Sequence, residues 1–338
     1  MGVHPVPRDD LMSVALFRAS LLLLLAAILS ACGGGGSDSS LPPPVPAADQ
    51  VASLTVSGYP HAVDVYQTAG ATRAIVVLHG GGGDKTAVAY QLGMTANTTS
   101  ATTATVNWAW LDAHKVMLVM PQGQHLASEP NATTWSNRAM NSGVDDVAFL
   151  QALAAKIRAD YGISEISLMG HSMGGVMINR MWCESPQTFN AYVSLAGPVS
   201  ASFNDPATPC QPGSSAAKPY LGIIGDSDEV MQTAGVWEAA TWTVTPTVVI
   251  AARTAWDNNI VIGELHQQQA RTSIMCSAVL DPSAFVAEGN VDTWSTCGGK
   301  LVLKRVRGGE HGVASLDALM GNGATDVMDA ALAFVSQF

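Results

Sequence analysis

The chain has 338 residues, 48% hydrophobic and only 13% charged, with a formal net charge of −11. So apolar and weakly charged a composition excludes a disordered chain, and the shortage of Lys and Arg argues against nucleic acid, whose phosphates need cationic partners. No basic run follows the first twenty residues, which also argues against electrostatic docking on anionic lipid.

The first element is the apolar run of residues 19–32, Ala-Ser-Leu-Leu-Leu-Leu-Leu-Ala-Ala-Ile-Leu-Ser-Ala-Cys. It is shorter than the about 20 residues a spanning helix needs and suits the apolar part of a secretory signal. Its end, Leu29-Ser30-Ala31-Cys32, resembles a bacterial lipobox. That resemblance implies a diacylated Cys32 as first mature residue; the plainer reading is an ordinary signal peptide with an incidental Cys. Asp9 and Asp10 are out of place in a leader that should be positive, so Met12 is the expected start.

Residues 33–50, rich in Gly, Ser and Pro, bury nothing and read as a tether able to reach roughly 60 Å. The expected division is a signal over 1–31, lipidated Cys and tether over 32–50, and one folded domain over 51–338. The expected address is the cell envelope, at the outer membrane or the periplasmic face, or release outside the cell. In a Gram-negative host, Gly33 after Cys32, rather than Asp, points to outer-membrane sorting. Export leaves Cys183, Cys210, Cys276 and Cys297 in an oxidising compartment. Two disulfides are expected, with three connectivities open. Proximity in sequence favours Cys183–Cys210 and Cys276–Cys297. No CxxC or paired-His spacing supports a metal site.

Beyond residue 50, the stretch 51–67 reads as an antiparallel strand pair. Continuous apolar runs follow at 74–78, 116–120, 166–169, 191–195, 220–224 and 301–306. Unbroken rather than alternating runs are expected of strands buried on both faces. Residues 145–160 place Val147, Leu150, Leu153 and Ile157 at helical spacing, with Asp145 and Asp146 near the positive helix start and Gly162 as a stop. A last helix is expected over 315–337. Strand–helix alternation implies a mostly parallel sheet covered by helices on both faces.

Chemistry concentrates at the strand ends. Gly170-His171-Ser172-Met173-Gly174-Gly175 follows one strand and precedes the apolar stretch 176–182. This is G-x-S-x-G in the setting its physics requires: a tight strand-to-helix turn that lifts the Ser172 hydroxyl above the sheet and aims helix amides at the site. His79-Gly80-Gly81-Gly82-Gly83 ends an earlier strand, where glycines let backbone amides face a ligand. The N–H groups of Met173 and of Gly81 or a neighbour are the expected oxyanion donors. A phosphate loop is the competing reading, but Asp84 stands before Lys85-Thr86 where that motif needs glycine.

A serine nucleophile needs a base, and the base an acid. After Ser172 the chain holds two histidines. His311, in Gly-Gly-Glu-His-Gly just after the last strand, is favoured over His266, which sits in a polar helical stretch. Gly225-Asp226-Ser227-Asp228-Glu229-Val230 offers the acid; Asp228 is favoured and Asp226 is the alternative. Trp135 and His171 are expected to border substrate. Trp108 and Trp110 read equally well as core. No cofactor or metal is called for.

Taken together these residues resemble the esterase group of polyhydroxybutyrate depolymerases and feruloyl or acetylxylan esterases, within the α/β-hydrolase superfamily. The likeness covers residues 72–315 and rests on the His79–Gly83 loop, Trp135, Asp145-Asp146-Val147, Gly170–Gly175, Cys183, Cys210, the Gly225–Val230 turn and Gly309–His311. It implies an α/β-hydrolase fold, a Ser172–Asp228–His311 triad and a Cys183–Cys210 bond. It also implies cleavage of carboxylic esters: hydroxybutyrate oligomers or small acyl and hydroxycinnamoyl esters. The chain departs from that group in its Ile-Gly-Asp acid turn, its His-Ser-Met nucleophile and the Thr/Ala-rich segment 95–106. A serine peptidase of the same fold and a catalytically idle binding lipoprotein are the alternatives.

Overall fold

The computed structural model describes residues 49–126, 132–138, 140–197, 210, 212–230, 237–238, 243–244, 260–321 and 323–338. The leader, Cys32 and the tether lie outside the described residues, as does the side chain of His266.

Ten strands form one sheet. In chain order they are β1 (Gln50–Leu54), β2 (Val63–Gln67), β3 (Arg73–Leu78), β4 (Val116–Pro121), β5 (Glu165–His171), β6 (Tyr192–Leu195), β7 (Tyr220–Gly225), β8 (Val286–Glu288), β9 (Val291–Thr296) and β10 (Leu301–Val306). Their spatial order is β1-β2-β4-β3-β5-β6-β7-β10-β9-β8. The six central strands, β4 to β10 in that order, pair in parallel; β1–β2, β2–β4, β10–β9 and β9–β8 are antiparallel.

The unbroken apolar runs have the expected cause. Side chains alternate across the sheet, and helices cover both sides. Val76 and Leu78 of β3 join one core with Phe149, Leu153, Met177 and Met181. Ile75 and Val77 join the other with Val88, Leu111, Val313 and Val327. The first side is covered by α3 (Asp146–Tyr161) and α4 (Met173–Glu184). The second is covered by α1 (Lys85–Gln91), α2 (Trp108–His114), α6 (Val313–Met320) and α7 (Asp326–Val335). Helix α5 (Ile260–Met275) packs near β10.

Helix α3 begins at cap Asp145, whose carboxylate accepts the Ala148 N–H, and stops at Gly162 in the left-handed region, φ 66°. The helix expected over 315–337 is two helices, α6 and α7. Gly321 is extended there, and the Asp326 carboxylate takes the Gly323 N–H at 2.7 Å, so the chain turns and restarts. The β8–β9 hairpin was not foreseen, although Gly289-Asn290 between two short β-prone runs is a turn signal. Val286–Glu288 has only three residues, all exposed, so that strand carries no hydrophobic signal. Trp110 is buried on the core and donates its indole N–H to Asp329.

Cys183–Cys210 and Cys276–Cys297 are disulfides, with Cα–Cα distances of 4.9 and 5.5 Å. The first ties the end of α4 to residue 210. The second ties the end of α5 to the turn before β10. Loops of 27 and 21 residues make each worth about 3–4 kcal/mol in the chain-entropy model.

Candidate active site

In the sheet order β4-β3-β5, the chain runs from β3 to one side and returns on the other. Such a reversal opens a crevice beyond the carboxyl ends of the parallel strands. Here those ends are Leu78, leading into the His79–Gly83 loop, and His171, leading into Ser172.

Ser172 sits at φ 53°, ψ −116°, a sparsely populated conformation that costs on the order of 1–3 kcal/mol. Its surroundings hold it there. Its N–H donates to the Leu195 carbonyl of β6 at 2.9 Å, and its own carbonyl accepts the Val176 N–H at 2.9 Å. A side chain at Gly170 would meet the Gly174 carbonyl at 2.6 Å, and one at Gly174 would meet the Leu78 carbonyl at 2.6 Å. The two glycines of the motif therefore let strand, turn and helix close on one another.

The Ser172 hydroxyl lies 2.9 Å from His311 Nε2, and His311 Nδ1 lies 2.8 Å from Asp228 Oδ2. Ionised Asp228 can only accept, so Nδ1 carries the proton and Nε2 faces the hydroxyl as an acceptor. Asp228 is fully buried; His311 retains slight access to the cleft. The two loops that supply them are stitched together. The Asp226 N–H donates to Val306, the Ser227 N–H to Gly309, and Gly308 N–H to the Asp226 carboxylate at 2.7 Å. Asp226, the alternative acid, therefore staples the histidine loop, and Asp228 meets the imidazole.

The glycine loop 79–83 is braced from below. His79 is buried, and its Nδ1–H donates to the Gly80 carbonyl at 2.7 Å. Its Nε2 accepts the Gly123 N–H at 2.8 Å. Burial pushes its pKa down, partly opposed by its bond to the Gly80 carbonyl, so the ring is a neutral strut. Gly82 N–H donates to Thr133, and the Thr133 hydroxyl to Gly83. Gly81 is exposed and adjoins Met173, since a Cβ on it would lie 2.8 Å from Met173 Cγ. Met173 opens α4, so its N–H is among the amides an α-helix leaves unengaged.

Trp135 does not border the cleft. It is fully buried, and its indole N–H donates to the His79 carbonyl at 2.9 Å. Its loop enters the first core, so a large apolar ring there packs inward and serves as a prop under the glycine loop. His171 does line the cleft with Ser172 and His311. Its Nε2–H is committed to the His311 backbone carbonyl at 2.8 Å. Burial lowers its pKa to about 4, partly opposed by its bond to the His311 carbonyl, so it is neutral.

Two supporting residues escaped the sequence reading. Asp146 is not a solvent-side charge at a helix start. Its carboxylate is sealed, bonded to His61 Nε2 at 2.7 Å, to the Ser142 hydroxyl at 2.8 Å and to the Ser136 N–H. His61 stacks on Phe149 with centroids 3.6 Å apart. The signal was present: Asp146 falls on the same helical stripe as Leu150, Leu153 and Ile157. Asn137, from the loop Asp146 organises, donates to the Met173 carbonyl at 3.2 Å.

Among the described residues no group of three or more His, Cys, Asp or Glu could hold a metal ion. A cleft of about 170 Å³ opens beside Ser172, bounded by the glycine loop, His171, His311 and α1.

No protein-family model and no curated protein matches the chain. Among solved structures, an acetyl xylan esterase from Aspergillus awamori is similar at 13% identity and TM-score 0.50, covering 84% of this chain and 99% of its own. Esterase PE8 is similar at 18% identity and TM-score 0.46, covering 86% and 99%. A carboxylesterase from Mesorhizobium loti is similar at 14% and 0.45, covering 83% and 98%. At such identities the likeness is one of architecture, and with the sheet order above it establishes that this chain has the α/β-hydrolase fold.

Proposed function

We propose that the chain is a serine hydrolase of carboxylic esters. One observation carries the reading: the unbroken hydrogen-bond relay Ser172–His311–Asp228, at 2.9 and 2.8 Å, at the crevice of the sheet. His311 Nε2 takes the hydroxyl proton as Ser172 Oγ bonds to the ester carbonyl carbon. The amides of Met173 and Gly81 hold the resulting oxyanion. The tetrahedral species collapses, the C–O bond breaks, and His311 gives its proton to the departing alcohol. Water then attacks the acyl-enzyme while His311 takes its proton; the Oγ–C bond breaks, His311 returns that proton to Ser172 Oγ, and the carboxylic acid leaves. Asp228 keeps the imidazole in the right tautomer and stabilises its charged form. The solved esterases of this fold support the ester reading over a peptidase one.

We further propose that the protein is exported and anchored through a lipid on Cys32, with the Gly/Ser/Pro segment as tether. A mature amino-terminal peptide beginning at an acylated Cys32 would support this; one that retains Val3–Arg8 would overturn it and the Met12 start together.

The mechanism is tested by Ser172→Ala. Turnover of a 4-nitrophenyl ester should fall by roughly 10⁶-fold with the thermal transition intact, and labelling by a fluorophosphonate should disappear. Wild-type turnover in the variant would remove Ser172 as nucleophile.

A further inference from the structure

Resting on the esterase reading above, we propose that helix α1 and its cap choose the acyl group. The cleft takes a short, uncharged acyl chain, with Ala87 and Val88 limiting its length and Asp84 turning away a second carboxylate.

One wall of the cleft is the glycine loop with His171, Ser172 and His311; the other is α1, through Asp84, Ala87, Val88 and Gln91. The carbonyl carbon must meet Ser172 Oγ while its oxygen faces the Gly81 and Met173 amides. The departing oxygen must face His311 Nε2, its proton donor, so the substituent that runs the other way, along the glycine loop towards α1, is the acyl chain. At about 170 Å³ the cleft is smaller than the roughly 300 Å³ at which pockets begin to hold drug-sized ligands. That size favours an acetyl or hydroxybutyryl group over a hydroxycinnamoyl ring with its side chain. Val88 is buried against the second core and cannot yield cheaply.

Asp84 supplies the charge. His79 and His171 are neutral, so apart from the triad Asp84 is the charged side chain in the lining. It cannot swing away, because Oδ1 accepts the Thr86 and Ala87 N–H groups at 2.7 and 3.2 Å as the cap of α1. The helix start softens this charge without cancelling it.

The test compares kcat/KM for 4-nitrophenyl acetate, butyrate, octanoate and hemisuccinate, and for butyrate esters of alcohols of increasing length. Wild type should lose about tenfold or more from butyrate to octanoate and tolerate the alcohol series better. Ala87→Leu should shift preference from butyrate to acetate. Asn caps a helix as well as Asp, so Asp84→Asn removes the charge alone. It should raise the hemisuccinate-to-butyrate ratio about threefold at low salt, and less at high salt. Octanoate cleaved as well as butyrate, steeper dependence on the alcohol, or a ratio unmoved by Asp84→Asn would each overturn the inference. Failure of wild type to cleave any ester or take a fluorophosphonate label would instead sink the esterase reading beneath it.

Discussion

The His171 ring donates from Nε2 to the backbone carbonyl of His311, 140 residues further on, at 2.8 Å. The residue just before Ser172 thereby pins the loop that carries His311. The rings lie 5.1 Å apart, tilted by 47°, so they touch the same cleft without competing for one proton.

If this bond positions the base, its loss should lower turnover rather than binding. His171→Leu should reduce kcat by about tenfold, the worth of one hydrogen bond to a group left unpaired, with KM little changed and the acidic limb of the pH–rate profile displaced. His171→Gln, which keeps a donor, should recover part of the loss. Equal losses in both variants, with the pH profile fixed, would reduce His171 to a packing residue.

The same histidine couples stability to pH. Its folded pKa of about 4 lies below the usual 6.5 because burial disfavours the charged ring. Between those values the unfolded chain binds the extra proton, so the contribution is complete above pH 6.5 and lost as pH falls towards 4. The full loss is about 3 kcal/mol. His79 acts in the same direction. Denaturant midpoints measured from pH 7 to pH 4 should fall less steeply in His171→Gln than in wild type.

Asp146→Ala should be among the most damaging changes away from the triad. It strands His61 Nε2 and the Ser136 amide in the interior, while the Ser142 hydroxyl keeps its Ser136 hydroxyl partner. A loss of about 3 kcal/mol is expected, because buried polar groups without partners bear their whole desolvation cost. Calorimetric unfolding reads this directly. Asp146→Asn, retaining some of the bonds, should lie between the two.

Much of the molecule is legible in one dimension. The strands at 74–78, 116–120 and 220–224 announce themselves because both faces of each are buried, so every residue is apolar. The elbow at Ser172 and the glycine loop at His79–Gly83 are equally plain. Both are backbone conformations that few residues can adopt, so local composition records them. Disulfide pairing also followed from proximity along the chain.

Other features lie beyond such reading, since they depend on which surfaces meet after the chain folds. Trp135 is a large aromatic residue whether it lines a cleft or props one; only the packing of its loop over the first core sends its indole beneath His79. Asp146 carries the same charge on a helix start in water as in a sealed pair with His61; burial by residues 85 positions away decides. Asp226 and Asp228 share one turn, and the stitching of that turn to the His311 loop assigns them different tasks. Local rules write the backbone, whereas the partner of a side chain is a long-range fact, settled when the sheet brings distant strand ends together.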